Sequence, residues 1–204
     1  MEIKKVGNYT LYYERQLGKG VLGEVIEGER IDNKEKVAVK IVKKSALQDK
    51  QRFENIGLSK CLQREIIIQK SLNNPNIIKM YEAKESANNI YMFMEKGDCT
   101  LLDYQKQKLF DNDSVTQLMK QLLSALQYMS EVKIINQLQD DKEYEGICHL
   151  DLKPQNILMV GNIPKITDFG MSIQKNQEQS EKLLNSEDEL CQTHHFYLGK
   201  GTLV

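Results

Sequence analysis

The sequence predicts an α+β protein whose first half is rich in β-strands and whose second half contains a long helix. Apolar and polar residues alternate at 9–12 and 24–28, as they do in half-buried strands. The run Ile90–Met94 is wholly apolar, which favours a buried strand. Apolar residues then recur at helical spacing between Val115 and Met129. A chain of 204 residues is long enough for one or two modest cores.

The elements follow one another in a simple order. The β-rich part is predicted to span residues 9 to about 94, with a turn at Asp32 and Asn33 before a strand at Val37–Val42. Residues 95–98 then form the predicted hinge between the two halves. The long helix is predicted to begin at an N-cap residue, either Asp113 or Ser114.

Composition excludes several classes of protein. The net charge of −1 gives no attraction to nucleic acid or to an anionic membrane surface, so neither is an expected partner. No apolar run reaches the ~18 residues of a spanning helix, and the first residues lack the apolar region of a signal peptide. Glu2 excludes N-myristoylation. The four cysteines are scattered, which favours reduced thiols in a cytoplasmic protein.

The most informative motif is the sequence HLDLKPQN at 149–156, followed by DFG at 168–170. It supplies a carboxylate, an ammonium group, an amide and a second carboxylate at fixed spacing, from Asp151, Lys153, Asn156 and Asp168. Such groups suit phosphoryl transfer, which needs a carboxylate for the acceptor hydroxyl, a cation for the migrating phosphoryl group and oxygen ligands for Mg²⁺.

Further motifs precede it in a fixed order. The sequence LGKGVLGEV at 17–25 is glycine-rich, and VAVK at 37–40 ends in a lysine. A lone G-x-G-x-x-G would also fit a dinucleotide-binding fold. Arg64–Ile66 and then NPNII at 74–78 follow. Together the five motifs resemble those of eukaryotic protein kinases of the serine/threonine type, and the resemblance covers residues 9–204. The resemblance implies that Arg64–Ile66 lie on the regulatory helix and that 74–78 form the strand after it.

The resemblance implies an ATP-dependent kinase with a bilobal fold. Its domain would span 9–204, with a β-rich N-terminal lobe carrying one helix at 9–94, a hinge at 95–98 and an incomplete helical C-terminal lobe at 99–204. The activation segment would occupy 168–204. ATP and Mg²⁺ are the implied cofactors, and the implied partner is a protein substrate that receives phosphate on a Ser or Thr hydroxyl.

The family's catalytic roles fall on particular residues. Asp151 would be the base and Lys153 would neutralise the transferring phosphoryl group. Lys40 would contact the α- and β-phosphates and pair with Glu65, whose alternative is a solvated helix face. Asn156 and Asp168 would hold Mg²⁺.

A second set of residues is implied to surround the nucleotide. The glycines would let the backbone approach the phosphates, and the apolar members, which could equally be plain core, would enclose the adenine. This set is Leu17, Gly18, Gly20, Gly23, Val25, Ala38, Lys40, Met94, Glu95, Gly97, Asn156, Leu158 and Asp168.

Several features depart from the family. Leu150 replaces an arginine that normally receives an activation-loop phosphate. Gln69 occupies the place of an apolar residue that stacks between Met80 and Phe169, so its amide would need partners. A polar insert at about 131–146 is interpreted as a solvated surface loop or as a docking site for a regulatory protein.

The last departure concerns the end of the sequence. Gly201 and Thr202 resemble the glycine–threonine pair late in the activation segment, but no A-P-E motif follows. The apolar face of the helix at 115–129 would then lack part of its cover. The alternative to an active kinase is therefore a truncated, catalytically weak pseudokinase or scaffold module that binds ATP. A small-molecule phosphotransferase is the third candidate.

Overall fold

A computed structural model describes residues 3–20, 23–47, 58–107, 110–136 and 142–174. The first half of the chain forms one antiparallel sheet with the strand order β1-β2-β3-β4-β6-β5. These strands are β1 (Ile3–Val6), β2 (Tyr9–Lys19), β3 (Gly23–Arg30), β4 (Lys36–Lys43), β5 (Met80–Glu85) and β6 (Asn89–Glu95). Glu95, predicted to lie in the hinge, is therefore the last residue of a strand.

The sheet begins earlier than the sequence predicted. Strand β1 precedes residue 9 and pairs with β2, with Ile3 opposite Tyr12 and Val6 opposite Tyr9. Gly7 makes the turn between them at φ +58°, a backbone conformation that glycine adopts without steric cost. Strand β1 has only four residues, two of which are adjacent lysines, so its apolar and polar residues do not alternate clearly. For this reason the sequence did not predict the strand.

The two faces of the sheet have different partners. Val37, Val39 and Ile41 of β4 lie with Tyr9 and Phe93 in one buried cluster, where the two rings stack at 3.9 Å between centroids. Because successive side chains of a strand point to opposite faces, Ala38, Lys40 and Val42 share the other face. That second face carries the lysine toward the helix that follows.

The helix between β4 and β5 is α2 (Leu58–Ser71), preceded by the single turn α1 (Lys44–Leu47). Leu62 of α2 packs with Met80 and Met92 under the second face of the sheet. The segment 74–78, expected to be the strand after this helix, is instead a turn with one bridge from Ile77 to Ile166. Pro75 has no N–H for a strand ladder, and the side chain of Asn74 accepts from the Asn76 amide.

The second half of the chain combines two helices with short strands. Its elements are β7 (Cys99–Thr100), α3 (Leu101–Gln107), α4 (Asn112–Glu131), β8 (Lys133–Asn136), β9 (Lys142–Glu145), β10 (Ile147–Cys148), β11 (Ile157–Val160), β12 (Ile163–Ile166) and β13 (Ile173–Gln174). Strands β12, β11 and β7 form one small sheet, and β10 pairs with β13. Within the described residues, no helix is both long and apolar enough to cross a membrane.

The long helix α4 confirms the predicted helical spacing but begins earlier. Its N-cap is Asp111, whose side chain accepts from the Ser114 amide at 2.7 Å, so neither predicted cap is correct. One face of α4 is buried through Leu122, Ala125 and Met129. On another face Val115, Met119 and Leu123 are 45–57% exposed.

The polar insert is not a plain surface loop. Its described ends form the hairpin β8–β9, in which Ile134 lies opposite Tyr144. Both of these side chains are buried. Two predicted regions lie outside the described residues: 21–22 of the glycine-rich segment, and the activation segment beyond Gln174, including Thr202.

Candidate active site

The lysine predicted to hold phosphate is paired as expected. Lys40 Nζ lies 2.5 Å from Glu65 Oε1, which joins β4 to α2. The Glu65 side chain is 3% exposed and that of Lys40 is 20% exposed. A carboxylate so deeply buried needs a cation, because an unpaired buried charge is strongly disfavoured. The alternative of a solvated Glu65 is therefore wrong.

Residues of the motif at 149–156 meet at the carboxylate of Asp151. Its Oδ2 accepts from Lys153 Nζ and from Asn156 Nδ2, both at 2.8 Å. The same amide nitrogen of Asn156 also donates to the Asp151 carbonyl at 2.8 Å. The short 3₁₀ helix Pro154–Asn156 turns the chain back so that these contacts form. Asp151 is thus held in one orientation, with its side chain 33% exposed.

His149 joins this loop to the segment that carries Asp168. The Asp151 amide donates to His149 Nδ1 at 3.3 Å, so Nδ1 is unprotonated and Nε2–H donates to the Thr167 carbonyl at 3.0 Å. Burial lowers the pKa of His149, and the bond to Thr167 opposes that shift. The neutral ring, 5.0 Å from that of Phe169, therefore ties the two motifs together.

Two residues of these motifs have left-handed backbone. Leu150 has φ +63° and Asp168 has φ +64°. For residues with a side chain this conformation costs about 1–2 kcal/mol, so surrounding contacts must hold it. One such contact is the bond from Ser172 Oγ to the His149 carbonyl. Leu150 itself is 46% exposed and cannot replace the charge of an arginine.

Asp168 lies close to Lys40, the lysine predicted to contact phosphate. Its Oδ1 is 3.9 Å from Lys40 Nζ, and its side chain is 52% exposed. Since the amide nitrogen of Asn156 is bound to Asp151, its oxygen is the atom suited to a cation. Within the described ranges no three His, Cys, Asp or Glu side chains cluster as a metal site. The donor set nevertheless fits Mg²⁺, which takes one or two protein oxygens together with phosphate oxygens and water.

The residues predicted around the adenine come together on the second face of the sheet. Ala38 lies opposite Met94 in the ladder, and both are 8% exposed. Val25 lies opposite Lys40 on the neighbouring strand. From the other half of the chain, Leu158 packs against the cluster that contains Met94. Leu17, at the far end of β2, is 46% exposed.

The three glycines of the first motif differ in their surroundings. A Cβ on Gly23 would overlap the carbonyl oxygen of Ile41, so the approach of β3 to β4 requires glycine there. Around Gly18 no described atom lies within 4 Å of such a Cβ, and at Gly20 the nearest is the Gly23 carbonyl at 3.9 Å. Gly18 and Gly20 are therefore free to serve a ligand, whereas Gly23 is already needed by the sheet.

Comparison with known proteins agrees with this geometry. The family profile described as a protein kinase domain matches residues 11–197. The chain belongs to the protein kinase family. Its fold is that of a kinase domain, with a β-rich lobe joined to a partial second lobe.

The curated relatives include plant and animal kinases. Aurora kinase B of Xenopus tropicalis is 36% identical over 164 residues, which is 78% of this chain and 40% of that protein. CBL-interacting serine/threonine-protein kinase 5 of Arabidopsis thaliana is 32% identical over 85% of this chain and 35% of the relative. CBL-interacting protein kinase 28 of Oryza sativa subsp. japonica is 29% identical over 84% and 36%. The chain spans between 35% and 40% of the length of these relatives.

The segment 95–98, predicted to be the hinge, is held by contacts that the sequence did not indicate. Glu95 Oε1 and Oε2 lie 2.7 and 3.0 Å from Lys165 Nζ of β12. At the other end, Asp98 Oδ2 accepts from the Gly161 amide at 2.8 Å. Between them, a Cβ on Gly97 would come within 2.8 Å of the Leu158 Cβ. The backbone of residues 95–98 is thus held against β11, β12 and the turn between them.

Gln69 confirms the expected difficulty of a buried amide. The residue is 1% exposed. Its Nε2 makes one long bond, 3.4 Å, to the Ile78 carbonyl, and its buried Oε1 has no hydrogen-bond partner. An unsatisfied buried acceptor costs about 1–3 kcal/mol. At Gln69, helix α2 is therefore packed less stably than it would be with an apolar side chain.

Replacing Gln69 with methionine is expected to stabilise the protein. Methionine is flexible and of similar length, and it has no unpaired acceptor, so we expect the free energy of unfolding to rise by about 1 kcal/mol. For a domain of this size that raises Tm by about 2–4 °C in thermal denaturation. Gln63→Met is the matched control, because Gln63 is exposed on the same helix. A lower Tm for Gln69→Met than for Gln63→Met would contradict this account of Oε1.

Proposed function

We propose that this chain is the nucleotide-binding and catalytic part of a protein serine/threonine kinase that uses ATP and Mg²⁺. The observation that carries the proposal is that two sets of contacts are present in the same structure. Lys40 is paired with Glu65 beside Asp168. Asp151 is bound by both Lys153 and Asn156. In protein kinases the lysine–glutamate pair and the DFG aspartate must both be in place for phosphoryl transfer.

The nucleotide would bind between the two lobes. Val25, Ala38 and Leu158 would enclose the adenine, with Met94 at the back. The hinge backbone at Glu95 and Gly97 would bind its polar edge. Lys40 Nζ, already oriented by Glu65, would contact the α- and β-phosphates.

The metal would be held by Asp168 and by the amide oxygen of Asn156. When bound, Mg²⁺ neutralises charge on the phosphate oxygens and orients the transferred group. The chain's own contribution is to fix the two oxygen ligands. Asn156 is fixed by its bonds to Asp151, and the backbone at Asp168 is followed by the buried Phe169.

Asp151 would accept the proton of the acceptor hydroxyl group. The two donors on Oδ2 hold the carboxylate in one orientation, so that Oδ1 is the oxygen suited to the incoming hydroxyl group. Lys153 would also place its positive charge near the transferring phosphoryl group. Phosphoryl transfer depends mainly on such positioning and electrostatic stabilisation.

The proposed substrate is a protein with Ser or Thr acceptors. Lys153 supports this proposal, because a lysine at this place in the motif resembles serine/threonine kinases. Further support comes from relatives that are named serine/threonine-protein kinases. The outer face of the hairpin β8–β9, where Ile135 is 58% exposed, remains a proposed contact for a regulatory protein.

Substrate class can be tested by identifying the phosphorylated product. The chain would be incubated with γ-labelled ATP, Mg²⁺ and a mixed protein substrate, and the labelled protein would be hydrolysed to amino acids. We expect phosphoserine and phosphothreonine. Phosphotyrosine as the main product would contradict the serine/threonine assignment, and label confined to small molecules would favour the phosphotransferase alternative.

A further inference from the structure

The hairpin β8–β9 has one buried face and one exposed face. Ile134 is 2% exposed and Tyr144 is 6% exposed. These residues are directly opposed in the register, so their side chains lie on the same face. Ile135, the next residue along β8, is 58% exposed. The inner face of the insert is therefore part of the protein interior.

The base of the hairpin is fixed to the end of α4. The Val132 amide donates to the Tyr128 carbonyl at 3.0 Å, and the Gly146 amide donates to the Val132 carbonyl at 2.8 Å. Gly146 has φ +88°, in the region that favours glycine. The chain thus enters and leaves the hairpin at one place, and these bonds set the direction in which the hairpin extends.

The hairpin extends toward the helix that carries Glu65. Strand β8 contacts α2, and Ile134 belongs to the same buried cluster as Ile68 of that helix and Leu72, which follows its last residue. Ile68 and Leu72 lie about one and two helical turns after Glu65. A second contact is close by. The Asn73 amide donates a hydrogen bond to Tyr128 Oη of α4 at 2.9 Å. The C-terminal half of α2 and the residues just after it are therefore held from the α4 side at two points.

These contacts support α2 close to Gln69, where its packing is otherwise poor. Gln69, next to Ile68, buries an oxygen without a partner. One helical turn before Gln69, the contact that matters for the proposed chemistry is the ion pair of Glu65 with Lys40. Apolar cover from Ile134 offsets the poor packing at Gln69 and so favours the helix position in which that pair forms.

We propose that Ile134 and the hairpin that carries it are a positioning device for Glu65. Ile134 is not among the residues proposed to bind nucleotide or substrate; it acts through α2. The catalytic consequence rests on the proposed kinase function, whereas the structural consequence does not, and the two can be measured separately.

The structural test is amide hydrogen exchange of α2 in the full chain. Ile134→Ala is expected to speed exchange of residues 62–70 by about 10-fold, because loss of local packing lowers the free energy of local opening. Ile134→Val should give an intermediate rate. Ile135→Ala, one residue away on the exposed face, should match wild type. Equal rates in Ile134→Ala and Ile135→Ala would overturn the proposal, as would an equal increase in β3 and β4.

The catalytic test asks whether the effect passes through Glu65. Ile134→Ala is expected to lower kcat by about 10-fold with little change in KM for the protein substrate, since misplaced catalytic groups act on the chemical step. In a Glu65→Gln background the same substitution should lower kcat no further. An undiminished 10-fold loss in that background would overturn the proposal.

The exchange result remains decisive if wild type transfers no phosphate. Faster exchange confined to α2 would then support the positioning role while the proposed function failed. If Ile134→Ala does not fold, Ile134→Val decides by the same exchange comparison with Ile135→Ala.

Discussion

Substituting Asp151 with asparagine is expected to lower kcat for phosphoryl transfer by about 10²–10⁴-fold, the usual contribution of a positioned general base. An asparagine oxygen can still accept from Lys153 and Asn156, so the loop geometry survives while proton acceptance is lost. Affinity for ATP and Mg²⁺, measured by calorimetry, should stay within about 2-fold of wild type, because Asp151 acts in the transition state.

The matched control for this substitution is Asp113→Asn. Asp113 is an exposed carboxylate in the first turn of α4, and its loss should leave kcat unchanged. Turnover by Asp151→Asn within a few-fold of wild type would mean that another group accepts the proton, and the assignment of the base would be wrong.

Substituting Lys40 with methionine is expected to have the largest effect on nucleotide binding. The ammonium contact with phosphate is a charged hydrogen bond, worth about 1.5–3 kcal/mol, so the Kd for ATP should rise by about 10- to 150-fold. The substitution also leaves the Glu65 carboxylate, 3% exposed, without its cation. Breaking such a buried pair costs about 3–5 kcal/mol, and Tm should fall accordingly.

Two companion variants separate these effects. Lys43→Met removes an exposed lysine three residues along the same strand and should change neither the Kd nor Tm. Adding Glu65→Gln to Lys40→Met should recover part of the lost Tm but none of the lost affinity, since the buried charge is removed and the phosphate contact is not restored. Equal ATP affinity in wild type and Lys40→Met would place the phosphates elsewhere.

The sequence was sufficient where function depends on short motifs. The spacing of Asp151, Lys153 and Asn156 within six residues lets a single 3₁₀ turn bring them together. The alternation of β4 placed Ala38 and Lys40 on the same face, as the ladder with Met92 and Met94 requires. Such local patterns fix geometry with little help from the rest of the chain.

The sequence was insufficient where contacts join distant residues of ordinary type. Glu95 and Lys165 are 70 positions apart, and neither is distinguished from other charged residues by its neighbours. Ile134 and Tyr144 flank a polar stretch that dominates the local pattern, so the insert resembled a surface loop although its ends are buried. Asp111 was missed as a cap because Asp113 and Ser114 are equally good candidates by type.

The most direct test of the central claim is a measurement on the wild-type chain alone. The claim is that Lys40, Glu65, Asp151, Asn156 and Asp168 form one assembled site for phosphoryl transfer. Transfer of labelled γ-phosphate from ATP to a generic protein would be followed with Mg²⁺ present and with Mg²⁺ removed by a chelator. The account predicts label in protein only when Mg²⁺ is present. A preparation that binds ATP tightly but transfers no label with Mg²⁺ would contradict it and identify the chain as an ATP-binding module without activity.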